Sequence, residues 1–150
     1  MKLEQAIKQH QFNSTGQRLG LNLIYTFNWI KQQQKEYFEQ YNITQQQYNV
    51  LRILRGNHPK AYSTSDIRDR MIDKMSDASR IVERLLKKGL VVRTKNKIDK
   101  RLVDVKISES GLQLLSSMDR TIESNLQEPF KNLSKEEQQT LDQLLDKMRD

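Results

Sequence analysis

A mainly α-helical fold with one small β-hairpin, α+β in class, is predicted by three observations. The 150 residues include only five glycines and two prolines but sixteen glutamines, so tight turns are scarce and long helices are the economical arrangement. Apolar residues recur at three- and four-residue spacing along most of the chain and alternate with period two only between about residues 90 and 107. A chain of this length buries one core without staples, and it has no cysteine. Residues 1–150 therefore read as a single domain without disulfides or thiolate metal sites.

Lys2 to Lys8 reads as a short separate helix ended by Asn13-Ser14-Thr15-Gly16. A long helix over 15–41 then begins near Ser14 or Thr15, with Leu19, Leu23, Ile24, Phe27, Ile30, Tyr37, Phe38 and Tyr41 on its apolar side. Leu21, Tyr25 and Trp29 widen that stripe, so the helix must be covered from more than one side, which in a small protein favours a subunit interface. Thr44 and Gln47 form a capping box for a second helix carrying Tyr48, Val50, Leu51, Ile53 and Leu54 and stopping at Gly56. After the Asn57-His58-Pro59 turn, Ser63 to Met71 is a short third helix opened by a Ser-Thr-Ser cluster.

The fourth helix is the most sharply amphipathic. Ser76 is the expected cap, Ala78, Ile81, Val82, Leu85 and Leu86 form the apolar stripe, and Gly89 supplies a left-handed end. The opposite face centres on Ser76, Arg80, Glu83, Arg84 and Lys87. The period then shortens: Leu90–Thr94 and Arg101–Ile107 alternate around a polar basic turn, Lys95 to Lys100. From Ser108 helix returns with Leu112, Leu115, Met118, Ile122 and Leu126 on one face, interrupted near Pro129, and a last helix is capped by Ser134 and Glu137.

Charge separates along this order. Residues 76–101 carry nine basic and three acidic side chains, residues 1–75 eleven and six, and residues 102–150 six and ten. Almost all of the net charge of +7 is thus matched by 26 residues, a dense positive surface of the kind that meets nucleic acid. Two histidines, no cysteine, no phosphate-cradling glycine loop and no nucleophile elbow leave an enzyme, a metal site or a bound cofactor without material. No stretch approaches the apolar length of a membrane span and the first residues lack an apolar leader, so a soluble cytoplasmic protein is expected.

Two short helices joined by a tight turn and followed by a basic hairpin form the winged helix-turn-helix plan. A helix about 10–12 Å across fits the major groove, so one with a buried stripe and an exposed cationic face can enter DNA while its back stays in the core. Asp99-Lys100-Arg101 followed by Ile107-Ser108-Glu109-Ser110-Gly111 resembles the wing signature of the MarR family of transcriptional regulators: Asp-x-Arg, then an aliphatic residue, Thr or Ser, two variable residues and Gly. Ser108 stands where Thr is more frequent. Ser76 to Val91 is similar to that family's recognition helix and its exit into the wing, and the element order matches over nearly the whole chain.

The resemblance implies a winged-helix DNA-binding lobe at about 44–107 and dimerisation helices at about 1–41 and 108–150. It implies a homodimer on a palindromic double-stranded DNA operator, usually a repressor, released by a small-molecule effector bound between the dimer helices and the lobe. The expected DNA-binding residues are Ser76, Ser79, Arg80, Arg84 and Lys87 on the helix and Lys95, Lys97, Asp99, Lys100 and Arg101 on the wing. Arg80 and Arg84 suit bases and the serines suit phosphate. By the resemblance, Arg101 enters the minor groove and Asp99 holds its guanidinium.

Blander accounts stand beside these. The helix face is also explained as a solvated surface in which Glu83 pairs with Lys87, and Asp99 with Arg101 as an ordinary cross-turn pair. Tyr25, Trp29, Tyr48 and His58 outline a candidate ligand pocket, although core packing is the simpler account of the rings and His58 suits a surface turn. The alternative function is a winged-helix interaction module for an acidic protein partner.

Overall fold

Hydroxyls and carboxylates set the helix starts. Ser14, Thr44, Ser63, Asp77, Ser108 and Ser134 each accept a hydrogen bond from the backbone N–H three residues on. Thr44, Ser63 and Ser134 receive the reciprocal bond from Gln47, Asp66 and Glu137, whose side chains accept from the cap N–H. The computed structural model describes residues 1–96, 98–99 and 103–150. Its elements are α1 (Leu3–Ile7), α2 (Thr15–Glu39), α3 (Gln45–Gly56), β1 (Tyr62–Ser63), α4 (Thr64–Arg70), α5 (Ala78–Lys87), β2 (Val91–Lys95), β3 (Val103–Ile107), α6 (Glu109–Met118), α7 (Ile122–Gln127), a 3-10 turn at Glu128–Phe130, and α8 (Lys135–Arg149).

The core is centred on α3, whose Val50, Leu51 and Leu54 are wholly buried. Around it lie Phe38 of α2, Ile67 of α4, Val82 and Leu85 of α5, Val105 of β3, and Leu115 and Met118 of α6. Burying such side chains stabilises by about 1.5–3 kcal/mol each. The antiparallel sheet has the order β1-β3-β2, with Arg93 opposite Val105 and Tyr62 also opposite Val105 on the other edge. The mainly helical class and the hairpin are as expected from the sequence.

Four details differ from the sequence reading. Asp77, rather than Ser76, caps α5. The Ser76 hydroxyl instead donates to Asp73 Oδ2 at 2.7 Å, closing the preceding turn. Strand β1 was not expected, being two residues inside a Ser-Thr-rich stretch, too short to show a period. Lys95 ends β2 rather than opening the turn. The C-terminal helical run breaks at Asp119–Thr121, before Pro129. Tertiary bonds account for this: Asp119 takes both terminal nitrogens of Arg55 at 2.9 Å, and the Thr121 hydroxyl bonds those of Tyr37 and Tyr41 at 2.8 and 3.2 Å.

Much apolar surface is left uncovered at the two chain ends. Leu19, Ile24, Phe27 and Trp29 of α2 and Leu144 and Met148 of α8 are exposed, and α8 buries no residue.

Candidate nucleic-acid interface

Helix α5 is held from behind and below. Ala78, Val82 and Leu85 enter the core, and Lys88, just past its end, donates to the Asn42 carbonyl and to Gln47 Oε1. Gly89 follows at φ +69°, the left-handed turn that suits glycine. With its back fixed, the helix presents Ser79, Arg80, Glu83, Arg84 and Lys87 to solvent, while Ser76 is half-buried. Five of the sequence-predicted residues, Ser76, Ser79, Arg80, Arg84 and Lys87, are thus brought to one surface.

Two hollows flank that face. One of about 250 Å³ lies between the start of α3 and α5, lined by Thr44, Gln46, Ser76, Arg80 and Arg84. Another of about 330 Å³ joins the starts of α4 and α5, lined by Thr64, Ser65, Arg68, Ser76 and Ser79. Gln46, Thr64, Ser65 and Arg68 were missed from the sequence. The signal was the Ser63-Thr64-Ser65 cluster, which reads only as a helix opener until α4 is placed beside α5. Next to the hollows the Asp73 carboxyl is held below its ordinary range by the Ser76 hydroxyl and the Met75 N–H. Its charge therefore stays committed to the turn.

Glu83 does not pair with Lys87, as the solvated-face account expects. Its carboxylate meets the Arg93 guanidinium, linking α5 to the first strand of the wing. The wing turn is organised by Asn96, another residue the sequence reading passed over. Its Nδ2 donates to both carboxylate oxygens of Asp104 at 3.0 and 3.1 Å, and its Oδ1 accepts the N–H groups of Ile98 and Asp99, each at 2.8 Å. Lys95 is exposed at the end of β2 and Asp99 is half-buried. Lys97, Lys100 and Arg101 lie outside the described residues.

The second half of the wing signature has a packing reason. Ser108 Oγ accepts from the Gly111 N–H at 3.1 Å and donates to the Gly89 carbonyl at 2.7 Å. A Cβ on Gly111 would lie 2.3 Å from the Leu90 carbonyl oxygen. The Ser-x-x-Gly turn is thereby welded to the end of α5.

The four candidate ligand residues do not converge. Tyr25 and Trp29 line a hollow of about 330 Å³ with Leu3. Tyr48 packs on Phe38 with ring centroids 5.0 Å apart, and Arg52 donates to its hydroxyl. His58 is exposed in its turn. A larger hollow, about 440 Å³ between α2 and the start of α3, is lined by Lys31, Gln32, Lys35, Phe38, Ile43 and Gln45 and includes none of the four.

Residues 43–103, from the start of α3 to the start of β3, match the model of the MarR family. Over 99 residues the chain is 33% identical to the HTH-type transcriptional repressor IacR of Pseudomonas putida, covering 66% of this chain and 58% of that relative. The crystal structure of a MarR transcription factor from Planctomyces limnophilus is 32% identical, covers 91% of this chain and 98% of its own, and superimposes with a TM-score of 0.69. The chain belongs to the MarR family. A MarR variant from E. coli complexed with operator DNA is 26% identical, with 99% of both chains covered and a TM-score of 0.79. The chain spans under three-fifths of the length of the curated relatives it matches, 58% and 59%. Among the described residues no helix is long and apolar enough to cross a membrane.

Proposed function

We propose that the protein is a sequence-specific double-stranded DNA-binding transcriptional regulator: a cytoplasmic homodimeric repressor acting on a palindromic operator and released by a small molecule. One observation carries this reading. The outward face of α5 gathers Arg80, Arg84 and Lys87, while its inward face is locked into the core. A helix so mounted enters the major groove without unfolding anything behind it. Arg80 and Arg84 are assigned to base edges, because a guanidinium grips guanine with two parallel bonds. Ser76 and Ser79, joined by Thr64, Ser65 and Arg68, are assigned to phosphate.

On the wing, Lys95, Lys97 and Lys100 are assigned to the backbone and Arg101, held by Asp99, to a narrow minor groove. That the E. coli relative is complexed with operator DNA supports a DNA-binding role, and the repressor IacR supports the sign of regulation. The uncovered apolar faces of α2 and α8 support the dimer, with residues 44–107 as the DNA lobe between dimerisation segments 1–41 and 108–150. The 440 Å³ hollow beside α2 is of the size that takes a small effector.

Selection of bound duplexes from a random pool tests the reading. The expected product is a palindrome whose half-site centres stand about one helical turn, roughly 34–36 Å, apart. Arg80→Ala should weaken binding by about 1–3 kcal/mol and relax the preference at one base position, and Arg101→Ala should bind more weakly with a log–log salt slope shallower by about one. A pool that gives no sequence preference would instead support a module for an acidic protein partner.

A further inference from the structure

The DNA-facing side of α5 contains one feature that a simple cationic surface does not explain. Glu83 sits on the exposed face one helical turn from Ser79, Arg80 and Lys87, and is itself exposed. An uncommitted carboxylate there would repel the phosphates that the neighbouring arginine and lysine attract. It is committed, however, to Arg93 on β2. Arg93 has its backbone fixed in the ladder opposite Val105, which is fully buried. Both side chains of the pair remain about half exposed, 53% for Arg93 and 51% for Glu83.

A guanidinium has five N–H donors in a planar fork, of which one carboxylate engages at most two along an edge. The rest stay available outward. The pair also bridges the helix assigned to the major groove and the first strand of the wing assigned to the adjacent minor groove, and a sugar-phosphate strand runs between those grooves. We propose that Arg93 is a further phosphate-contacting residue of this protein and that Glu83 is its positioning residue, orienting the guanidinium toward that strand. The inference rests on the DNA-binding reading and adds an assignment that the basic-face argument alone would reverse, since by charge alone Glu83 should only oppose binding.

The opposite signs make the test. Binding of the selected duplex is measured across a salt series for the parent, Glu83→Gln, Arg93→Ala, Arg93→Lys and the double variant Glu83→Gln/Arg93→Ala, with thermal unfolding of each as a folding control. Glu83→Gln is expected to weaken binding by about three- to tenfold, the worth of one ordinary hydrogen bond, because the amide orients the guanidinium less well, although the change removes a negative charge. Arg93→Ala should weaken it at least as much and flatten the salt slope by about one. Arg93→Lys should keep the slope and still bind more weakly, because a point charge cannot hold the fork geometry. In the Arg93→Ala background, Glu83→Gln should instead tighten binding, since the carboxylate there has no arginine to orient. Tighter binding by Glu83→Gln in the parent background, or an unchanged slope for Arg93→Ala, overturns the inference. Failure of the parent to select any duplex overturns the DNA-binding reading itself, and Arg80→Ala weakening beside normal Glu83 and Arg93 variants overturns the inference alone.

Discussion

At Gly111 a single hydrogen decides whether the β2–β3 hairpin can close against the start of α6. A methyl there would meet Leu90 O at 2.3 Å and Ile107 Cγ1 at 2.7 Å, and backbone oxygen has nowhere to retreat. Gly111→Ala is therefore expected to destabilise by about 1–3 kcal/mol, the usual cost of forced overpacking, read as a fall in the urea midpoint with unchanged slope. An unchanged midpoint would mean that the α6 start shifts freely. A second test separates neighbouring residues at α5: Asp77→Ala should cost about 1 kcal/mol as a lost cap, whereas Asp77→Ser should cost little. The residue scale is also where sequence reading was weakest. Ser76 and Asp77 are both good caps, and only the competing bond from Ser76 to Asp73 assigns the role. Asn96 looked like one more polar turn residue, because the carboxylate it bridges, Asp104, lies eight positions away. Arg80, Arg84 and Lys87 were legible because they share a helical period with the buried stripe.

Between elements, specific polar ties join the lobe to the C-terminal helices. Arg55, at the end of α3, holds Asp119 after α6, and its guanidinium keeps the Asp119 carboxyl below the ordinary carboxylate range, against a smaller opposing effect of burial. A depressed folded-state pKa stabilises above the unfolded value, about 3.9 for aspartate, and that stabilisation is lost as pH falls through the folded value. With Asp119 49% exposed, the effect is screened and should stay below about 1 kcal/mol. The urea midpoints of the parent and Asp119→Asn are thus expected to differ at neutral pH and converge as pH falls below about 4. A constant gap would show that the pair does not supply the difference. The same junction explains which elements were legible. Helices α3 and α5 carry a cap, a period and an end signal in or directly beside their own residues, and α8 a cap and a period. The break at Asp119–Thr121 carries none, because its partners Arg55, Tyr37 and Tyr41 lie 64 to 84 positions earlier. Strand β1 exists only because β3 is beside it.

For the whole molecule the open quantity is what covers the long helix. Phe27 is 63% exposed on α2 and Leu144 58% exposed on α8, whereas the buried core gathers around α3. Fully covering one such side chain is worth about 1.5–3 kcal/mol, so a surface holding several of them has enough driving force for a stable association. The sequence already showed an apolar stripe too wide for one covering layer, but the exposed positions emerge only when the lobe is packed against the other side of α2. If two chains share these faces, Phe27→Glu buries an unpaired carboxylate in the interface, which association cannot tolerate. Light scattering should then report one chain instead of two, and far-ultraviolet circular dichroism should remain helical because Phe27 supports no part of the single-chain core. Operator affinity should fall with the mass, since each lobe would bind its half-site without the other, and the loss should be recovered in part at high protein concentration on a duplex carrying both half-sites. A variant that keeps the parent's mass and affinity would place the contact elsewhere and leave Phe27 an ordinary exposed residue. Phe27→Leu, which keeps the apolar surface, is expected to remain dimeric, so the loss is tied to burial of the charge rather than to the ring.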